Sequence, residues 1–321
     1  MTSIAKQVID VRYYQELKMK AFITYELPNG IRLNDNAITH EHAIKEPSGN
    51  MWYQVGLVSH PTLYHDEIEQ GLYTSRERDG EQSLVVAIVE RVLPSNTIKR
   101  HLNAMRVAFE QEHGQAVVKN QMAQWKEQFI NDTLPNCPLK ESRIEVSFDY
   151  KNNKLLIGTS SQKTADTIIT WLNCHLFKDN PLSCRLHRPP LMTAWLNHQL
   201  EMGTYPYESC KMQNHITGEK LSFTHDVDCM TARTVFAESE RLSVVELGCA
   251  IPDVCLFSVN DKSVIKGIKY QLTDEQKNDI DESRAESVVV ADNTKHILQV
   301  YNNRKILSVL KEVEDYVEDD L

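Results

Sequence analysis

Ser83-Leu84-Val85-Val86-Ala87-Ile88-Val89-Glu90-Arg91-Val92 is a β-branched run bounded by Gly80 and Pro94. Branching at Cβ stiffens χ1 and favours a pleated backbone, so the stretch predicts a buried strand. Working upstream, residues 20–27 and 52–58 read as shorter strands, and the chain opens in an α/β style. Downstream, Pro94 stops the run and Ser95 or Asn96 can cap a helix. In that helix Ile98, Leu102, Met105 and Phe109 recur at helical spacing, and past Gly114 the spacing returns in Val118, Met122, Trp125 and Phe129. Two amphipathic helices, or one broken at His113-Gly114, therefore project between strands, with the apolar stripe as their packing face.

Leu134-Pro135-Asn136-Cys137-Pro138 ends the helical stretch, because proline lacks a donor and disfavours helix in the residue before it. Arg143–Tyr150 then alternates Ile144, Val146, Phe148 and Tyr150 on one face, Asn152-Asn153 turns, and Lys154–Gly158 returns as a hairpin. Ser160 or Ser161 caps a helix through Ala165, Ile168, Ile169 and Leu172. Beyond the loop His187-Arg188-Pro189-Pro190, helices are expected at 191–201, around Trp195, and at 230–238. Strands are expected at 242–249, 254–259 and 263–270, then an acidic connection over 272–286, a short strand Val288–Ala291 and a closing helix from about Thr294 to Val317. The fold class is α+β, with mixed or antiparallel sheets, helices and a projecting helical insertion. The chain divides into an N-terminal α/β part (1–94), the insertion (95–140) and a C-terminal α+β part (141–321).

At 321 residues the chain is long enough for a sizeable core, against roughly 100–200 residues per domain. Its 11 glycines are about half the usual fraction, and no G-x-x-x-x-G-K-[ST], G-x-G-x-x-G or G-x-S-x-G occurs. P-loop nucleotide hydrolysis, Rossmann redox chemistry and serine-hydrolase chemistry are thereby disfavoured. Seven cysteines without a C-x-x-C encode neither a disulfide framework nor a zinc ribbon. No apolar run is long enough to span a bilayer, and the charged first twenty residues leave no room for the apolar middle of a secretory signal, so a cytoplasmic protein is expected.

The net charge of −10 opposes polyanion binding in sum, but its distribution is uneven. Residues 95–163 carry 10 basic and 7 acidic groups, whereas residues 271–321 carry 6 and 13. An acidic C-terminus and a basic middle are compatible with a protein that repels polyanions except along one face, and equally with ordinary variation along a solvated surface. Lys99, Arg100, Arg106, Lys119 and Lys126 lie on the helical insertion, and Arg143, Lys151 and Lys154 on the following hairpin; these are the candidate phosphate contacts. A competing chemistry resides in His225-Asp226-Val227-Asp228, where alternate positions of an extended segment could aim Asp226 and Asp228 at one metal, joined by Asp253 or Asp261. His40-Glu41-His42 and Cys174-His175 resemble metal-ligand pairs but lack a second pair at finger-like spacing.

Several stretches together carry a resemblance. Val92-Leu93-Pro94-Ser95-Asn96-Thr97-Ile98-Lys99, the helices ending in Asp132-Thr133-Leu134-Pro135, the hairpin Phe148-Asp149-Tyr150-Lys151-Asn152-Asn153-Lys154-Leu155 and the helix Ser161-Gln162-Lys163-Thr164-Ala165-Asp166-Thr167 resemble, in order and spacing, the corresponding run of the RdgC family of bacterial recombination-associated proteins. The chain reads as a divergent member, with a second insertion helix poorer in lysine than the family's and Pro138 where the family tends to place an aromatic. The resemblance implies a ring-shaped homodimer that encircles duplex DNA without sequence preference, is nucleoid-associated, and restrains the RecA recombinase by occupying its substrate. In that picture the insertion supplies the tip, a dimer contact and part of the DNA channel. No catalytic residue, metal or cofactor is called for. The rival reading is a metal-dependent DNA exonuclease built on Asp226 and Asp228; a third is a DNA-independent interaction protein whose acidic C-terminal region engages a basic partner.

Overall fold

The computed structural model describes residues 19–178, 181–182, 185–186, 191–203 and 205–319. The loop 187–190 and Cys184 lie outside the described residues. In chain order the elements are β1 (Ala21–Glu26), β2 (Tyr53–Val58), α1 (His65–Glu69), β3 (Glu81–Arg91), α2 (Ser95–His113), α3 (Lys119–Thr133), β4 (Leu139–Asp149), β5 (Lys154–Ile157) and α4 (Gln162–His175). They continue with β6 (Arg185–Leu186), α5 (Met192–Met202), β7 (Pro206–Asn214), β8 (Lys220–Thr224), α6 (Met230–Ala237), β9 (Leu242–Ile251), β10 (Cys255–Asn260), β11 (Ile265–Tyr270), α7 (Asp274–Glu286) and α8 (Val288–Asp319).

The described strands form one eleven-stranded sheet in the order β2-β3-β4-β5-β1-β11-β10-β9-β7-β8, with β6 also pairing β1. Every ladder between these strands is antiparallel. The α/β opening expected from the β3 run is therefore corrected: the fold is α+β. β1 joins the two halves, because Ala21 and Phe22 pair with β11 while Ile23 to Glu26 pair with β5.

The run in β3 is apolar on both sides because both sides are covered. Leu84 and Val86 enter an apolar cluster with Ile144, Val146 and Phe148 of β4 and Ala165, Ile168 and Leu172 of α4. Successive strand residues face opposite ways, so Glu81, Ser83 and Val85 turn to the other face, beside Glu145, Ser147 and Asp149 of β4. α8 lies over that face. A second cluster fills the other half, with Trp195, Leu196 and Leu200 of α5 and Ile306, Leu310 and Val313 of α8 packed on Met212, Val244, Leu247 and Phe257.

Most expected elements are present, including the hairpin β4–β5 and the Ser161 cap of α4, whose side chain accepts from Thr164 N. Three readings are corrected. The acidic connection is helix α7, with Thr273 and Gln276 forming a capping box. Val288–Ala291 is the first turn of α8, capped where Ser287 Oγ accepts from Val290 N at 3.1 Å; buried Ala291 outweighs the β preference of the valines. Strands β7 and β8 lack the alternation that would announce them: β7 buries Cys210 and Met212 alone, and β8 is an edge strand with no buried residue.

Gly56 allows a close crossing at the other end of the sheet. The segment at Ala43–Ile44 runs parallel to β2, with Ile44 N donating to Leu57 O at 2.8 Å, and a Cβ on Gly56 would stand 2.6 Å from Ile44 Cα.

Candidate functional site

Helices α2 and α3 form a hairpin that stands away from the sheet, and neither contributes a buried residue. Gly114 caps α2 in the left-handed conformation (φ 64°) that L-residues resist, which breaks the helix at the expected place. The hairpin is held by its own seam: His101 stacks on Phe129 with ring centroids 4.0 Å apart, and Phe109 meets Trp125 at 5.8 Å.

Its charge is one-sided. At about 100° per residue, Lys99 and Arg106 stand about a quarter-turn from the seam of Ile98, Met105 and Phe109. Lys119 and Lys126 stand about a quarter-turn, in the same rotational sense, from the seam of Met122, Trp125 and Phe129. Because the helices are antiparallel, equal rotation brings both pairs to one side of the hairpin, with Glu110 the acidic group nearest them. The opposite side is made of Thr97, Ala104, Ala108, Gln121, Gln124 and Gln128. Arg100 falls on the back of α2, away from the other cations. All five basic residues are exposed, and Lys99, Arg100, Lys119 and Lys126 have no ion-pair partner among the described residues. Arg106 donates to Asn103 Oδ1 at 2.8 Å.

The three cations expected on the β4–β5 hairpin are not grouped with them. Arg143 Nε donates to Glu141 Oε1 at 2.6 Å, Lys151 pairs with Asp79, and Lys154 is half-buried on β5 opposite Glu26. A paired cation has less charge to offer a phosphate than the unpaired lysines of the arm have.

A second assembly, unread in the sequence, lies under α8. His296 Nε2 is 3.2 Å from Glu81 Oε2 and 3.2 Å from Ser83 Oγ, and its Nδ1 is 3.4 Å from Glu145 Oε1. Gln299 donates to Glu145 Oε2 at 2.7 Å, and Ser147 donates to Glu81 Oε1 at 2.7 Å. His60, entirely buried behind them, has Nε2 3.0 Å from Ser83 Oγ and Nδ1 2.8 Å from Thr62 Oγ1. Burial, and the charge of His296 beside it, hold His60 well below the ordinary histidine range. His296 is itself desolvated, which alone would lower it, but hydrogen bonds and charge from Glu145 and Glu81 win and push its pKa up to about 10. About two turns further along α8 from His296, Arg304 forks onto both oxygens of buried Asp149 at 2.9 Å and reaches Asp79. The alternation Glu141, Arg143, Glu145, Ser147, Asp149 reads as a solvent face, and α8 covers its end.

A family model described as "Putative exonuclease, RdgC" matches residues 65–313. The chain belongs to the RdgC family. The matched RdgC segment contains the whole arm, the β4–β5 hairpin and the buried cluster's Glu81, Glu145 and His296. Among curated relatives, the recombination-associated protein RdgC of Xylella fastidiosa (strain 9a5c) is 23% identical over 218 residues, covering 63% of this chain and 69% of that protein. The RdgC protein of Xanthomonas oryzae pv. oryzae (strain PXO99A) is 23% identical over 210 residues, with 63% and 68% covered, and that of Psychromonas ingrahamii is 24% identical over 196 residues, with 60% and 65% covered.

The carboxylate pair proposed for the RdgC exonuclease reading does not form a metal centre among the described residues. His225, Asp228 and Cys229 have φ of 58°, 51° and 53°, so the segment is a turn and its side chains do not alternate as on a strand. Asp226 is occupied in capping α6, accepting from Thr231 N at 3.1 Å and Ala232 N at 2.9 Å. Asp253 and Asp261 sit in the turns at opposite ends of β10, and neither forms a metal-sized group with Asp226 and Asp228 among the described residues. His40 contacts Tyr73 Oη at 2.8 Å, His42 accepts from Thr39 N at 3.1 Å, and Cys174 is exposed beside His175, which stacks on Trp171.

Proposed function

We propose that this protein binds duplex DNA without sequence preference, as a nucleoid-associated ring dimer in the cytoplasm, and modulates homologous recombination by occupying the DNA that a RecA-type recombinase requires. The observation that carries the reading is the one-sided arm, where Lys99, Arg106, Lys119 and Lys126 share a face, the lysines among them without ion-pair partners among the described residues. Phosphates are a repeating line of charge, and unpaired cations on a projecting hairpin bind them without reading bases. The acidic remainder, with 13 acidic and 6 basic groups over 271–321, keeps a polyanion off the rest of the surface. The recombination-associated relatives support the biological setting. Ring closure requires two contacts per protomer. Val107 and Val118 on the arm, and Ile216 and Leu221 at the β7–β8 edge, are exposed apolar residues at two separated places suited to them.

Occupancy, without strand cleavage, is the mode we infer, since Asp226 already serves as a helix cap. Fluorescence anisotropy with two unrelated duplexes at several salt concentrations tests it. Log affinity should fall with log salt at a slope of about −0.9 per phosphate neutralised. Lys99→Ala, Arg106→Ala and Lys126→Ala should each weaken both duplexes equally and flatten the slope by about one unit. Arg100→Ala, on the back of α2, should change neither. A parent protein that ignores duplex at low salt would overturn the proposal.

A further inference from the structure

The buried cluster under α8 adjoins a cavity of about 310 Å³ between α7, α8 and the sheet, lined by His60, Glu145 and His296 together with Pro61, Leu272 and Asn302. One ligand atom from each of His60, Glu145 and His296 lies within 4.8 Å of the other two. We infer that these three side chains bind a single divalent transition-metal ion of the zinc class, its remaining coordination position opening onto the cavity.

Three observations support the assignment independently of DNA binding. The donor set, two imidazoles and a carboxylate, suits a borderline-soft ion, and three protein ligands with one open position is a familiar zinc arrangement. Tetrahedral zinc, with bonds of about 2.0–2.2 Å, needs ligand atoms about 3.3–3.5 Å apart, so side-chain shifts of about an ångström complete the site. Second, Glu145 is 7% exposed, Gln299 satisfies its Oε2, and its Oε1 meets only His296 Nδ1, at 3.4 Å and without the geometry of a good hydrogen bond. Third, the outer groups that orient ligands are in place. Gln299 holds Glu145, and Thr62 Oγ1, 2.8 Å from His60 Nδ1, can accept from it once the proton moves from Nε2. In this structure Nδ1 accepts from Thr62 N at 3.3 Å and Nε2 faces Ser83 Oγ, so binding requires that tautomer shift.

Charge points the same way. Glu81 and Glu145 against a protonated His296 leave the cluster with one net negative charge, and with His296 neutral it carries two. A divalent ion that displaces the His296 proton brings the sum to zero in a largely buried place, where water screens charge poorly. The surrounding charges do not supply this compensation. Lys295 is paired with Asp292 on α8, Lys277 with Asp274 and Arg284 with Asp281 on α7, and Arg304 is engaged by Asp149 and Asp79. Tyr270 of β11, the remaining titratable group facing the cavity, has its pKa pushed far up by burial and is neutral. His296 faces a carboxylate at each ring nitrogen, an arrangement that favours a proton on both, so a metal taken up at either nitrogen displaces one.

The test uses the full chain after chelator treatment and dialysis. Zinc is added in a titration calorimeter in two buffers of different ionisation enthalpy, and cobalt is added separately for its visible spectrum. About one ion per chain, with about one proton released, and a cobalt band of tetrahedral intensity are expected. His60→Gln removes a neutral ligand without altering the cluster's charge, so it should fold as the parent does and lose the site. Glu145→Gln should lose it too, with folding of both verified by circular dichroism in chelator. The double variant His42→Ala/His175→Ala, which removes the other close histidine pair, should bind as the parent does. Binding that survives His60→Gln, or that disappears in the His42/His175 variant, would overturn the inference, as would a parent that takes up neither ion.

Discussion

Replacing His296 with glutamine should destabilise the protein by an amount that depends on pH in a defined way. His296 is 11% exposed at its side chain and touches Glu81 and Glu145, themselves 2% and 7% exposed. Removing the cation leaves two buried carboxylates facing each other without compensation, which costs roughly 3–5 kcal/mol when one partner of a buried pair is deleted. The raised pKa gives a compatible figure: a rise from 6.5 to about 10, at 1.36 kcal/mol per pH unit, corresponds to about 4–5 kcal/mol. A group whose pKa is higher in the folded state stabilises fully below its unfolded value and loses that contribution as pH rises through the folded one. Over pH 6.5–10 the gap between parent and His296→Gln should therefore be widest at pH 6.5, shrink steadily above it and close as pH passes through about 10. Urea unfolding in chelator, followed by tryptophan fluorescence and circular dichroism over pH 6.5–10, measures it. Adding Glu145→Gln to His296→Gln should recover part of the loss. A variant within about 0.5 kcal/mol of the parent at pH 6.5, the range expected of an ordinary surface change, or a gap that stays constant to pH 10, would refute the reasoning.

Other outcomes follow from the same structure. Gly56→Ala should cost about 1–3 kcal/mol, because the new methyl would meet the backbone of Ile44, 2.6 Å from Cα and 2.8 Å from N; denaturant midpoints of the two proteins decide this. Cys174, exposed, should be labelled by a disulfide reagent in the native state, whereas Cys210 and Cys255, buried and with burial pushing their pKa up to about 12, should react when the chain unfolds. Replacing 95–133 with a short linker should leave the cooperative unfolding of the sheet within about 1 kcal/mol, since no residue of α2 or α3 is buried, while abolishing the duplex binding proposed above. A large loss of stability would mean that the arm packs on the body.

The chain by itself determined its local elements wherever one physical signal was strong. The β3 run, the two seven-residue-spaced stripes of the arm with Gly114 between them, the Asn152-Asn153 turn and the Ser161 cap all express short-range sterics and hydrogen bonding, and each is where the pattern puts it. Spacing also made the arm's cations legible as a group, because helical geometry converts sequence distance into a face. What only the tertiary structure decided depends on contacts between residues far apart in the chain. Val288-Val289-Val290 is helical because α7 and α8 pack together and bury Ala291, against the residues' own preference. The alternating polar side of β4 is indistinguishable in sequence from a solvent face, and it becomes an ion cluster because α8, about 150 residues later, supplies His296, Gln299 and Arg304 to it. Asp226 and Asp228 failed as a pair for the converse reason: three residues with positive φ turn the segment, and backbone N–H groups of α6 claim the carboxylate that spacing alone had offered to a metal.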